Sequence, residues 1–525
     1  MELVIVEKRS MAQILSNALS DKTRNRKYFL ESDKRIYFFT SGHLINLSEK
    51  YRSWDIESVF RIVAGQIKED IKDALMIKEL KKIVPTTERI TLATDYDTEG
   101  EVIGRDVLGL IKNKNLEIKR WKFSSLTKED LIKSYSLRED LCNTDILYYK
   151  GYSRRYCDFI EGVSATKLIN LGIIVKESGE NSFYRIGRVK AGIMRILDER
   201  KNLVEYYLKN PHYNYYLSLN TLSGIRLQVP LPGMIEINSL KVTDIKIKEK
   251  TVVNSPPLPY NTKRLIQRLS LKYTPGFIKT GLETLYSRGI ITYPRTDTEL
   301  FNNDFYDQVV NNSKLPLDSL KDKFQFKRIS IGNSTVDHPA ISPTFKETVY
   351  PPAYLLFTKQ LINILLEPIL KEKITIVPYL EIRVDKYVFT TQNPANFEKI
   401  KTEDLFFNIE KRRYFKRNYT LSELFKTMSK HNIGTKSTQL VCVCDLQDSN
   451  IIKLKDHVEG NFIIINEVLK RLSILSGQAM LFNLDYCAEI QKKIDSISNK
   501  IELKKLIIEI KRKWKEIAQL VKERT

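Results

Sequence analysis

Apolar and polar positions follow two rhythms along this chain, and the switches between them mark its units. Leu3 to Val6 form a short continuous apolar run, the mark of a buried strand. Met11, Ile14, Leu15, Ala18 and Leu19 then recur at helical spacing. Tyr37 to Thr40 and Ile90 to Ala93 read as further strands, and Val102 to Ile111 begin a helix. Strands alternating with helices predict an α/β unit with a mainly parallel sheet over residues 1–125. Residues 126–205 read as mostly helical. From about Pro211 to Val253, Tyr, Leu, Ile and Val alternate with turn residues between them, the pattern of strands. Ser255-Pro-Pro-Leu-Pro259 is a stiff connector. One helical stretch follows, through Leu265, Leu269, Thr280, Leu282, Leu285 and Tyr286. Residues 374 to 391 return to strands, so the β region is split by an insertion. Leu424 to Met428 form a helix. From Ile501 a basic amphipathic helix carries Leu503, Ile507, Ile510, Trp514, Ile517 and Val521 on one stripe, read as core packing. The expected fold is therefore multi-domain α/β and α+β. Its parts are an α/β unit at 1–125, a discontinuous helical unit at 126–205 and 420–525, a split β-rich unit at 206–256 and 371–419, and an inserted unit at 257–370.

Length and charge sharpen this picture. A chain of 525 residues exceeds one ordinary core, so two to four domains are expected. Lys and Arg number 86 against 64 acids, a formal net charge of +22, which points to a polyanionic partner with nucleic acid first. The lysines are spread rather than blocked, so charge alone fits a generally basic protein equally well. Five sparse cysteines, Cys142, Cys157, Cys442, Cys444 and Cys487, predict a reducing, cytoplasmic setting without a disulfide framework and without a zinc site. The N-terminus reads as a buried strand, not a signal peptide. No apolar run reaches the about 20 residues of a membrane span.

Candidate chemistry gathers in two places. Glu7 follows the first strand, and Asp95, Asp97 and Glu99 follow a later one in Ala-Thr-Asp-Tyr-Asp-Thr-Glu-Gly-Glu. Ligands in open α/β sheets gather at the carboxyl ends of strands. Alternating acids in an extended segment project to one side. Carboxylates converging in a basic protein suit a hard cation, and Mg²⁺ fits; alone, the run also fits a solvated acidic loop. The second place is Gly289-Ile-Ile-Thr-Tyr-Pro-Arg-Thr-Asp-Thr298. Pro294 fixes the backbone directly after Tyr293, which places Tyr293 on an exposed, rigid bend. A phenol with Arg295 two residues away suits attack on a phosphodiester. Weaker signals are Arg154-Arg155-x-x-Asp158, Gly187-Arg188-Val189-Lys190, His338 in a turn, and Gly434-Thr435 opening a helix. Arg188 behind a glycine at a helix start is a candidate phosphate contact. Each of these also fits a structural role: a salt-bridged helix surface, a turn histidine, an ordinary cap.

Taken in order, these motifs resemble a type IA DNA topoisomerase over nearly the whole chain. The matching blocks are Glu7-Lys8-Arg9-Ser10, Ser41-Gly42-His43-Leu44, Asp95-x-Asp97-x-Glu99, Arg154-Arg155-x-x-Asp158, Gly187-Arg188-Val189, Ile291-Thr-Tyr293-Pro-Arg295-Thr-Asp297, His338-Pro-Ala-Ile-x-Pro-Thr344 and Ile433-Gly434-Thr435. The opening block is closer to the topoisomerase III form. The resemblance implies a Toprim domain, a helical tyrosine domain, a β-rich arch and a discontinuous helical domain closing into a ring. It implies cleavage of one strand by Tyr293, which keeps the 5′ phosphate, with relaxation of negatively supercoiled DNA without ATP. Glu7 would serve as acid and base, and Lys8 and Arg295 would stabilise phosphate charge. Asp95, Asp97, Glu99 and Glu7 would hold Mg²⁺. Arg154, Arg155, Asp158, Arg188, Lys190, His338 and Thr435 would contact DNA. Three departures stand out: Thr98 replaces the usual arginine, Lys190 the usual glutamine, and no C-terminal zinc modules follow. The last predicts a weaker grip on single strands and low processivity; a helicase module is also absent, so the chain alone is not expected to introduce positive supercoils, and a helicase or other DNA-processing partner is a further expectation. The topoisomerase half of a split reverse gyrase and a non-catalytic DNA clamp are the alternatives.

Overall fold

The computed structural model describes residues 1–49, 55–111, 116–172, 185–237, 240–301, 305, 309, 338–345, 350–393, 400–436, 438–455, 462–465 and 483–523.

Glu2–Val6 is buried along its whole length, which fits a central strand of a parallel sheet. It pairs in parallel with Arg35–Phe39 on one side and Arg89–Leu92 on the other, and the latter pairs in parallel with Glu117–Arg120. Short antiparallel strands close both edges of this seven-stranded sheet. The register carries the functional consequence. Ile5 lies opposite Leu92, so the segments after Val6 and Leu92 leave the sheet at the same edge. Backbone bonds tie that edge together: Ala93 N–H donates to Ile5 at 2.8 Å, and Gly42 N–H donates to Glu7 at 3.3 Å.

Helix Thr98–Leu110 starts four residues earlier than the apolar spacing predicts. Asp97 is its N-cap, accepting from the backbone N–H groups of Glu99 (3.0 Å) and Gly100 (2.8 Å). Glu99 therefore stands in the first helical turn, not in an extended run. Helix Asp145–Gly172 crosses at its closest point over this N-terminus. A Cβ on Gly151 would lie 2.0 Å from the Thr98 carbonyl oxygen, so only glycine permits the crossing. Leu484–Ser496 and Lys500–Lys522 pack back on Asp145–Gly172, with Leu503, Ile510 and Trp514 buried.

The β-rich region is two three-stranded sheets, and each draws on both chain segments. His212–Thr221 pairs with Leu405–Tyr414, and Val242–Asn254 pairs with Lys373–Val384. Leu217 and Leu219 from one sheet meet Leu380, Ile382 and Phe389 from the other in a common core. Each such side chain contributes about 1.5–3 kcal/mol on full burial.

The inserted segment holds Thr262–Leu269, Pro275–Ser287 and Leu355–Leu366. The single helical stretch expected from 265 to 286 is two helices, because Pro275 begins a new one. Gly289, at φ 67°, turns the chain into the tyrosine loop. That loop is pinned on both sides: Thr292 N–H donates to Ser342, and Tyr293 N–H donates to Ser124 at 2.8 Å. Ser124 belongs to the segment leaving the first unit, so the two units meet at the tyrosine.

Candidate active site

Tyr293 is buried, 3% exposed, where an exposed bend was expected. Pro294 shapes the backbone as anticipated, but the face of the first unit covers the ring. The Tyr293 hydroxyl donates to Asp97 Oδ2 at 2.8 Å. Its ring lies 4.5 Å from His338 and 5.1 Å from Tyr286, centroid to centroid. Burial, then Asp97 and Asp95, push the phenol well above its ordinary value, so the resting nucleophile is protonated.

The carboxylates sit in one conflicted cluster. Burial, then Glu7 and Asp97, push Asp95 up to about 7. Burial also raises Glu7, with Lys8 working against it and Asp97 adding to it. Burial and then Asp97 raise Glu99. Asp97 goes the other way. Burial opposes its charge, but Arg295, the Gly100 N–H and the Tyr293 hydroxyl hold its carboxyl below the usual range. Arg295 reaches Asp97 and Glu99 at 3.9 Å and Glu283 at 3.5 Å, and Lys8 lies 3.5 Å from Glu7.

Among the described residues no three acid, histidine or cysteine side chains stand close enough to enclose a metal ion. The donor set nonetheless fits one. Asp95 Oδ1 is buried with no hydrogen-bond partner, beside two further carboxylates. An added cation would relieve both the repulsion and the orphaned oxygen. Gly100 keeps this loop tight, since a Cβ there would sit 2.1 Å from the Asp95 carbonyl oxygen.

Two openings flank the pair. A crevice of about 80 Å³ is lined by Glu7, Lys8, Asp95, Glu283, Tyr286 and Arg295. A groove of about 450 Å³ is lined by Thr98, Lys150, Arg154, Lys263, Thr435 and Lys436 among others. Arg154 and Thr435, expected as DNA contacts, line this groove together with Asp97. Glu283, Tyr286, Lys150 and Lys263 were missed. Glu283 and Tyr286 lie on the helix leading into the tyrosine loop, one turn apart, and that spacing is the only sequence signal for them.

Of the other expected DNA contacts, His338 sits against the tyrosine, while Arg188, Lys190 and Arg155 are held in ion pairs. Arg188 is 3% exposed, and its guanidinium is shared by Asp158 (3.2 Å), Glu161 (3.3 Å), Gln491 and the Cys487 carbonyl. It cross-links helices far apart in sequence and faces no solvent. Lys190 pairs with Asp445 at 3.0 Å, and Arg155 with Asp106 at 2.8 Å. His338 is 1% exposed, and its Nε2 pairs with the Tyr96 carbonyl at 2.5 Å. Burial and then Lys436 push it down to about 3, so it is neutral; its Nδ1 is buried with no partner among the described residues.

An acidic sheet edge is thus sealed onto a buried tyrosine, beside a groove where Lys150, Arg154, Lys263 and Lys436 stand among Asp97, Asp297 and Asp495. The sequence pattern of the DNA topoisomerase family matches residues 143–508, and that of the Toprim domain residues 2–126. DNA topoisomerase 1 of Archaeoglobus fulgidus is 23% identical over 562 aligned residues, 94% of this chain and 80% of that protein. DNA topoisomerase 3 of Staphylococcus aureus (strain NCTC 8325) is 28% identical over 378, covering 65% of this chain and 51% of that protein. Full-length topoisomerase I from Thermotoga maritima shares the fold, with a TM-score of 0.68 at 18% identity, covering 99% of this chain and 90% of that one. This chain belongs to the type IA DNA topoisomerases. Its Toprim domain is of a metal-binding kind, and its substrate is DNA. Among the described residues no helix is long and apolar enough to cross a membrane.

Proposed function

We propose that this chain cuts one DNA strand with Tyr293, passes a strand through the break and reseals it, relaxing negatively supercoiled DNA without ATP. The observation that carries this reading is the 2.8 Å hydrogen bond from the Tyr293 hydroxyl to Asp97, which sets the nucleophile in the acidic centre. Tyr293 Oη bonds to phosphorus, the bond from phosphorus to the 3′ oxygen breaks, and the 5′ phosphate stays on the protein. Asp97 Oδ2 is positioned to take the phenolic proton. Glu7, raised by burial, suits the acid that protonates the departing 3′ oxygen and takes that proton back on resealing. Arg295 and Lys8 face the same crevice and would offset charge on the phosphate. Glu7, Asp95, Asp97 and Glu99 are the residues that would hold Mg²⁺, which supplies positive charge between carboxylates and phosphate, most of all for resealing.

The groove beside Asp97 would take the single strand, with Lys150, Arg154, Lys263 and Lys436 toward its phosphates. Arg154 also bears on the unusual Thr98. It donates to the Thr98 hydroxyl at 3.1 Å, so a guanidinium reaches the position where relatives of this family usually carry arginine. We read Arg188, Arg155 and Lys190 as structural cations that hold this groove rather than contact DNA. The four units expected above, arranged around a hole for DNA, complete the proposal. Relaxation of negatively supercoiled plasmid with Mg²⁺, by wild type but not Tyr293→Phe over a range of temperatures, tests it. Adduct on single strands without relaxation would point to a missing helicase or other partner. Neither activity would leave a DNA clamp.

A further inference from the structure

Far from the tyrosine, the β-rich region carries a second concentration of cations. Lys411-Arg-Arg-Tyr-Phe-Lys-Arg417 holds five cations and two aromatic rings in seven residues, with no acid. Its strand, Leu405–Tyr414, is the edge strand of its sheet. The neighbouring strand answers with His212-Tyr-Asn-Tyr-Tyr216, in a register that sets Tyr213 opposite Arg413 and Tyr215 opposite Lys411. The cations and rings interleave. Lys411 lies 4.0 Å from the Tyr213 ring centroid, Arg413 5.1 Å from Phe415, and Lys416 5.4 Å from Tyr414. Tyr213 and Phe415 remain 42% and 59% exposed.

Some of these charges are used internally. Arg412 bonds Glu410, Arg417 bonds Glu423, and Arg413 donates to the Leu208 carbonyl. Lys411 and Lys416 pair with no carboxylate among the described residues. Lysine on an edge strand also guards against sheet-to-sheet pairing. Edge protection needs no exposed rings, however, and the exposed Tyr213 and Phe415 rings, with Lys411 and Lys416 left unpaired in the same run, match what a single strand offers: phosphates alternating with flat bases. We propose that this edge strand of the β-rich region, with Lys411, Arg413 and Tyr213 on one side of its sheet and Arg412 and Tyr414 on the other, is a second single-stranded DNA contact, distinct from the groove at Tyr293. The helix Arg188–Lys209 runs between the two places. At about 1.5 Å per residue its 22 residues span about 33 Å. A pentanucleotide, about 17 Å when stacked at about 3.4 Å per nucleotide, is about half that span.

The inference rests on DNA being the substrate, and its test separates the two sites. Binding of a 25-nucleotide single strand and of a pentanucleotide is measured by anisotropy across a salt series. Wild type, Lys411→Gln/Lys416→Gln and Tyr213→Ala are compared. The double variant should flatten the salt dependence of 25-mer binding by about 1.4, since each phosphate contact on a single strand contributes about 0.7. Tyr213→Ala should weaken 25-mer binding about 5- to 150-fold through lost stacking. Pentanucleotide affinity, and covalent adduct yield at saturating enzyme, should not change. A 25-mer affinity within twofold of wild type at unchanged salt slope, in both variants, would overturn the proposal.

Discussion

Asp95→Asn should stabilise the cation-free protein, increasingly from about pH 4 to pH 7 and by a constant amount above that. Asp95 is half-buried, its Oδ1 is shut off from solvent without a partner, and loss of solvent with Glu7 and Asp97 lifts its carboxyl from the ordinary 3.8 to about 7. A carboxyl that titrates higher folded than unfolded stabilises the fold below its unfolded value. That contribution is lost as pH rises through the folded value. The interval from 3.8 to 7, at about 1.4 kcal/mol per pH decade, amounts to about 4 kcal/mol. For a cooperative unit of about 150–250 residues, about 2–4 °C per kcal/mol gives about 8–16 °C in melting midpoint. Asparagine keeps the shape and cannot ionise. Melting both proteins in chelator from pH 4 to 8 should therefore show wild type falling progressively behind the variant up to pH 7, by about that amount in all, and no further above it. Adding Mg²⁺ at pH 8 should recover wild type and leave Asp95→Asn unmoved. Parallel curves for the two proteins from pH 4 to 8 would refute the reasoning.

Further outcomes follow from the same geometry. Gly100→Ala drives a methyl against the Asp95 carbonyl and should cost about 1–3 kcal/mol in urea unfolding. It should also lower adduct yield at least about tenfold at unchanged single-strand affinity. Arg188→Met leaves Glu161 without its cation and should cost about 3–5 kcal/mol. The salt slope of DNA binding should stay as in wild type; a slope change there would restore Arg188 as a phosphate contact. Lys436→Gln removes one groove charge and should flatten the single-strand salt slope by about 0.7.

The parts of this account legible in the sequence are those set by local pattern. The all-apolar Leu3–Val6 marks a central strand, and the acids after two such strands meet because adjacent parallel strands end at one edge. The paired sheets of the β-rich region were legible as two strand-rich stretches separated by an insertion. What escaped depends on surroundings contributed from afar. Arg188 reads as a phosphate contact because a glycine precedes it at a helix start. Its burial is decided by Glu161, Cys487 and Gln491, the last two some 300 positions away. Tyr293 reads as exposed because proline follows it, yet the segment at Ser124 and the carboxylate of Asp97 close over it. The early start of helix Thr98–Leu110 was open to capping logic: Asp97 is a good N-cap, with Glu99 favourable in the first turn.

The central claim is that Tyr293 becomes covalently attached to DNA. The most direct measurement incubates the protein with a labelled single strand, denatures it, digests it and maps the labelled peptide by mass. The account predicts one modified peptide, carrying a 5′-phosphoryl oligonucleotide on Tyr293, and none in Tyr293→Phe at equal DNA occupancy. A labelled adduct surviving in Tyr293→Phe, or strand breakage with no covalent intermediate in wild type, would contradict it.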